Sequence, residues 1–296
     1  YWTEWFVDSA TLRNEMKGNG MEYELNVRAR DKAGNYSLNY GTSTFIYDNT
    51  APQTALVVPS SGSNVFVSTL TMIAGSKADN VGGVNPGTVG KVFVKLYSFQ
   101  NAGYWNTAGW VSDYTLQSDN AQINVYSDSW TITANLPTLV SGASYYITSS
   151  GFDSADGGGN QENLFNIRGS TFTFDNTGPV VAISTPGAAT KIFNTFLNIS
   201  GTAVDVSSSV KTVSIKVKRV SDGQYLAGDG SWGVSVTTLP ATAFAASTWT
   251  YTLGDDVPWS VANSTGRFEV YAWAVDYPGS TSTVTGPNSF MFDVSL

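Results

Sequence analysis

Aspartates recur at matching positions along this 296-residue chain. Asp31, Asp153 and Asp276 each end an alternating apolar run (YELNVRARD, YYITSSGFD and FEVYAWAVD) and are spaced by 122 and then 123 residues. Asp48, Asp175 and Asp293 follow STFIY, STFTF and NSFMF, while Asp79 and Asp205 close MIAGSKA and LNISGTAV. Carboxylates are hard oxygen ligands, and calcium collects six to eight oxygens from carboxylates, carbonyls and water. The same side chain also caps turns by bonding its own backbone, and a carboxylate pair can in principle hydrolyse a glycoside. Which chemistry applies depends on where the elements carrying these residues end.

Other chemistries are excluded by composition. The chain has no Cys and no His, so disulfides, thiolate nucleophiles, zinc fingers and imidazole acid–base catalysis are ruled out. The net charge is −8 with no basic stripe, so nucleic acid is not an expected partner. No Gly-rich phosphate loop precedes a helical pattern. No apolar run approaches the length of a membrane-spanning helix, so membrane insertion is not expected. Hydrophobic residues make up 42% of the chain and charged residues only 13%, which fits globular cores beneath a hydroxyl-rich, acidic surface. The chain opens on Tyr1 without a signal peptide, and it reads as the interior or the processed form of a longer protein.

The aspartates belong to a repeat of about 120 residues, the size of a whole domain rather than a solenoid turn. A front half repeats twice, from Pro52 to Asp79 and from Pro179 to Asp205, each followed by a β-run, KVFVKLY or VSIKVKR. A Trp-led strand follows at Trp130 and Trp249, and Trp5 holds the matching place ahead of Asp31. Residues 1–48 therefore read as the C-terminal half of a domain, and 49–176 and 177–296 as two full copies. An isolated half would expose apolar faces and open edges, so preceding chain or a neighbouring copy is expected to complete it.

The runs alternate with period two. Phe268, Val270, Ala272 and Ala274 fall on one face, as do Val213, Ile215 and Val217, with polar or larger residues between them. Gly, Pro, Asn, Asp and Ser clusters separate the runs, and no amphipathic helix is evident. About seven strands per repeat predict an all-β chain of tandem immunoglobulin-like antiparallel β-sandwiches. The length beyond a typical sandwich falls around Tyr104, Trp105 and Trp110, and around Tyr225 and Trp232, and reads as an enlarged loop or extra hairpin.

DKAGN at Asp31–Asn35, with the linkers DNTAP and DNTGP, resembles the bacterial immunoglobulin-like repeats of giant surface adhesins. The resemblance covers nearly the whole chain. The later copies depart from it: the second loop reads DSADGGGN, the third DYPGS without the Asn, and the third copy ends in FDVSL. It implies an extracellular segment on a bacterial surface, whose partners are neighbouring repeats or copies of itself.

In such a sandwich the second and sixth strands end at the pole where the linker enters. Asp48, Asp79 and Asp153, joined by Asp156, should therefore converge at one junction, and Asp175, Asp205 and Asp276 at the next. The expected cofactor is calcium; the plainer reading makes every one of these a turn former. Tyr104, Trp105, Trp110, Tyr225 and Trp232 are candidates for stacking on a glycan or a protein ligand, or simply pack beneath the loop. Asn35, Asn198 and Asn263 begin glycosylation sequons, a weak signal in a Ser/Thr-rich chain. Catalysis is not expected, because chemistry is rarely duplicated in every repeat while joint architecture must be. The expected function is a stiff stalk, fibre or filament segment. The alternatives are a glycan- or protein-binding module, or the accessory region of a secreted hydrolase.

Overall fold

A computed structural model describes residues 6, 10–16, 18–60, 62, 65–79, 87–155, 159–163, 169–195, 198–253 and 265–293. Trp5, Asp156 and Asn263 lie outside the described residues. The chain divides into two compact units, Tyr1–Ser63 with Thr71–Pro137 and Tyr145–Thr171, and Asn64–Leu70 with Thr138–Ser144 and Phe172–Leu296.

The architecture is all-β. A helix, α1 (Ala10–Glu15), also forms; at six residues it is too short to show the 3.6-residue period by which a helix is read from sequence. The hairpin of β1 (Met21–Val27) and β2 (Gly41–Tyr47) follows, with Tyr23 opposite Phe45 and their rings stacked at 5.7 Å. It exposes Met21, Leu25, Phe45 and Ile46, and β1 and β2 form a sheet of their own.

The next strands are β3 (Gln53–Val58), β4 (Val65–Val67), β5 (Ile73–Ala78), β6 (Val89–Ser98), β7 (Gly103–Trp105), β8 (Trp110–Val111), β9 (Leu116–Gln117), β10 (Asn124–Val125), β11 (Ser129–Ile132), β12 (Ser144–Asp153) and β13 (Ser170–Phe174). One sheet has the order β10-β11-β5-β3 and the other β4-β13-β12-β6-β7-β8, with β9 also on β6. The same plan returns in β14 (Val180–Thr185), β15 (Lys191–Phe193), β16 (Asn198–Val204), β17 (Val210–Arg219), β18 (Tyr225–Leu226), β19 (Trp232–Gly233), β20 (Leu239–Pro240), β21 (Ala243–Ala245), β22 (Thr248–Thr252), β23 (Thr265–Asp276) and β24 (Thr285–Asp293). Its sheets run β14-β16-β22-β21 and β15-β24-β23-β17-β18-β19, with β20 on β17. In letters this is A-B-E-D against G-F-C, the immunoglobulin arrangement. A short parallel strand precedes G in each copy, Val65 opposite Phe172 and Lys191 opposite Phe290.

The reason for this fold is visible strand by strand. In β17, Val213, Ile215 and Val217 are buried while Ser214, Lys216 and Lys218 are half-exposed. In β23, Phe268, Val270, Ala272 and Ala274 line the core. Trp249 is 1% exposed and sits opposite Gly201 in the β16–β22 ladder, with its indole N–H donating to the Thr202 carbonyl (3.1 Å). Trp130 is fully buried opposite Gly75, and its N–H donates to Ser76 (3.2 Å). A Cβ on either glycine would run into the indole ring and into the carbonyl of the first strand, Ala182 or Ala55. Glycine is required here by this close approach. The extra length in the middle of each copy forms two short strands that extend the C-side sheet, β7–β8 and β18–β19.

Candidate metal centre

The strand ends bring the aspartates together. β5 stops just before Asp79 and β12 ends on Asp153; β16 stops before Asp205 and β23 ends on Asp276. Asp48, Asp79 and Asp153 each offer a carboxylate oxygen within 4.8 Å of the others', and so do Asp175, Asp205 and Asp276. Asp79, Asp153, Asp175 and Asp276 are buried, whereas Asp48 and Asp205 are partly exposed.

Local sequence explains how each carboxylate is held. In D-N-T, the Thr two residues on turns back: Thr177 donates its N–H (3.1 Å) and its hydroxyl (2.8 Å) to Asp175 Oδ1. Ser141 adds a third bond to the same oxygen (2.9 Å). Thr50 makes the corresponding contacts to Asp48 Oδ1 at 3.1 and 3.4 Å. Asp205 Oδ1 receives the N–H groups of Ser207 and Ser208 (2.9 and 2.7 Å), closing the turn after β16. Asp276 Oδ1 receives those of Gly279 and Ser280, both at 2.6 Å.

The second oxygens differ. Asp153 Oδ2 accepts a bond from the Asn160 side-chain amide (2.8 Å), and Asp31 Oδ2 accepts the same bond from Asn35 (3.0 Å). Asp175 Oδ2 and Asp276 Oδ2 are buried and have no hydrogen-bond partner among the described residues. Charge follows geometry. Burial, together with the charges of Asp175 and Asp205, pushes the Asp276 carboxyl above the ordinary carboxylate value, against the pull of the Ser280 and Gly279 amides. Burial alone would raise Asp175 as well, but the dipoles of Ser208, Thr177 and Ser141 outweigh it and hold that carboxyl low. Asn35 holds Asp31 low through its side chain and its N–H.

Cationic groups are also unequally placed. Lys77 is buried on the same face of β5 as Asp79, and its ammonium donates to the Val89 carbonyl (3.3 Å). Val89 is the ladder partner of Asp153. Burial pushes Lys77 below the usual lysine value, with Asp128 opposing. In the second copy the same position is Ala203, counting from the glycine opposite each buried Trp.

The candidate aromatics are held by neighbours. Trp105 donates its N–H to the Asn135 carbonyl (2.7 Å) and tilts against Trp110, which stacks on Tyr145 at 5.8 Å. Tyr104 packs on Tyr97. Trp232 packs against Phe268 (5.4 Å) and lies 4.7 Å from the Arg219 guanidinium. Tyr225 pairs with Gly233 and Lys218 in the sheet. Sequence reading missed Ser141, which reaches Asp175 from 34 residues away with no local signal. It also passed over the consequence of Ser280. The signal there was present, since DYPGS lacks the Asn of DKAGN.

No protein-family model matches the chain, and no curated protein matches it. Among solved structures, it is similar to the fibronectin(III)-like modules of Clostridium thermocellum CbhA, with 16% identity over 82% of this chain and 94% of that one, at a TM-score of 0.33. It is also similar to chicken CNTN1 FN1–FN3 domains, with 11% identity over 90% and 75% and a TM-score of 0.34. A third is a structure described as concerning host cell surface retention of a 1.5-MDa bacterial ice-binding adhesin, with 12% identity over 94% and 76% and a TM-score of 0.29. Scores this low carry no argument about activity. The class of protein, a chain of immunoglobulin-like repeats, rests on the strand order and registers above. No helix among the described residues is long and apolar enough to cross a membrane.

Proposed function

We propose that this chain is a structural segment of an extracellular bacterial surface protein, in which tandem sandwiches at 49–176 and 177–296 bear length and load without catalysis. The observation that supports this reading is the duplication itself. Strand order, the parallel strand before G, the Trp–Gly pair and the acidic cluster at the strand ends all occur twice. Duplicated architecture is what extension requires, whereas an active site is needed only once. The aromatic side chains of the added hairpins stack on sandwich residues, which fits a packing role better than a ligand platform. The hairpin of residues 21–47, with its exposed apolar faces, is then covered by a neighbouring repeat.

Single-molecule stretching of the whole chain tests the proposal. Two discrete unfolding events are expected, each releasing roughly 400 Å of chain, from about 120 residues at about 3.4 Å each. Unfolding in one undivided event, or extension without any force peak, would contradict it.

A further inference from the structure

We propose that Asp175, Asp205 and Asp276 form a binding site for a hard divalent cation, calcium by preference, and that residue 280 makes this cluster the stronger of the two. Three observations lead there. First, the described hydrogen bonds that anchor these carboxylates reach Oδ1. Protein donors fix the side chains of Asp175, Asp205 and Asp276 by that oxygen. The fully buried Asp175 and Asp276 keep Oδ2 unpartnered. A buried oxygen without a partner is costly, and two that carry charge are more so. A cation removes both costs together.

Second, the spacing suits one ion. With calcium–oxygen distances of about 2.3–2.6 Å, two oxygens on the same ion lie at most about 5 Å apart. The three carboxylates fall within 4.8 Å of one another. The ligand set contains oxygen alone, and the chain has neither Cys nor His to favour a softer metal.

Third, the other two copies place a side-chain amide where this one has none. The loop after each F strand closes identically: Asp31 N–H to Asn35 O, Asp153 N–H to Asn160 O, and Asp276 N–H to Ser280 O. Residues 35, 160 and 280 are thus equivalent. Asn35 and Asn160 turn their amides onto the aspartate's Oδ2. Ser280 gives only its backbone N–H, to Oδ1. In the first cluster Asn160 therefore competes for Asp153, and the Gly87 backbone packs against Asp79 and Asp48. Any cation there binds more weakly.

Calorimetric titration of the whole chain with calcium chloride tests this, with thermal unfolding in calcium and in chelator as a second readout. Wild type is expected to bind calcium and to melt higher with it. Asp276→Asn should abolish the stronger binding. It should also melt in chelator no lower than wild type, because Asn Oδ1 can accept the same two amides and a buried charge is gone; this separates lost ligation from misfolding. Ser280→Asn should weaken binding about tenfold, the worth of one competing hydrogen bond. Absence of calcium binding by wild type at millimolar concentration would overturn the site. Loss of the stronger binding in Asp79→Asn but not in Asp276→Asn would overturn its placement. Equal affinity in wild type and Ser280→Asn would overturn the role of residue 280.

Discussion

Trp130 over Gly75 and Trp249 over Gly201 are one packing solution used twice, whereas Asp153 and Asp276, at equivalent strand ends, differ: Asp153 Oδ2 accepts a side-chain amide and Asp276 Oδ2 has no hydrogen-bond partner among the described residues. The contrast separates two kinds of constraint. A sandwich interior must be filled by atoms of the chain itself, so its shape is specified by sequence and repeats. A charged strand end can accept a side-chain amide or, on our proposal, an ion from solution, and either would let residue 160 be Asn and residue 280 be Ser.

If the interiors are equivalent, Trp249→Ala and Trp130→Ala should each cost about 3–5 kcal/mol. Chemical denaturation of the two variants checks this, and a marked gap between them would break the equivalence. Gly201→Ala and Gly75→Ala should follow at about 1–3 kcal/mol each, because both the indole and the first-strand carbonyl block a Cβ. A neutral result at one glycine would mean that its Trp is free to shift.

The strand-end difference is sharpened by Asn160→Ser, which leaves Asp153 Oδ2 without its amide. In chelator this should cost about 1–2 kcal/mol, and added calcium should recover part of the loss. The smallest effect concerns Arg219, which chelates Asp222 (2.6 Å) and stands where the first copy has Ser98. The Arg219 bond holds Asp222 below the usual carboxylate value despite some desolvation. Its contribution is therefore present above that value and fades as pH falls through the lowered one. The melting difference between wild type and Asp222→Asn should be small at neutral pH, since the pair is partly exposed, and should vanish in strong acid. A difference that persists unchanged there would rule out the ion pair as its source.

Much of this was legible in the residues. The alternation from Phe268 to Ala274 gives the strand and its inner face, and Asp79, Asp153, Asp205 and Asp276 fall where apolar runs stop. Once strands B and F end at one pole, convergence with Asp48 and Asp175 follows from topology. What was hidden is non-local or too short for a period. Ser141 meets Asp175 through folding alone. The burial of Lys77 comes with a bond from its ammonium to the Val89 carbonyl, twelve residues away, that no local pattern marks. The six residues of α1 are too few to mark a helix, and the sequence does not name the neighbours of the Trp105 and Trp110 rings.

The central claim is that the second strand-end cluster, lacking the amide that Asp153 receives in the first, is completed by a cation. Anomalous difference maps from crystals of the whole chain grown with calcium would locate the ion directly. The account predicts a peak about 2.3–2.6 Å from oxygens of Asp175, Asp205 and Asp276, stronger than any peak at Asp48, Asp79 and Asp153. No peak at the second cluster, or a stronger one at the first, would contradict it.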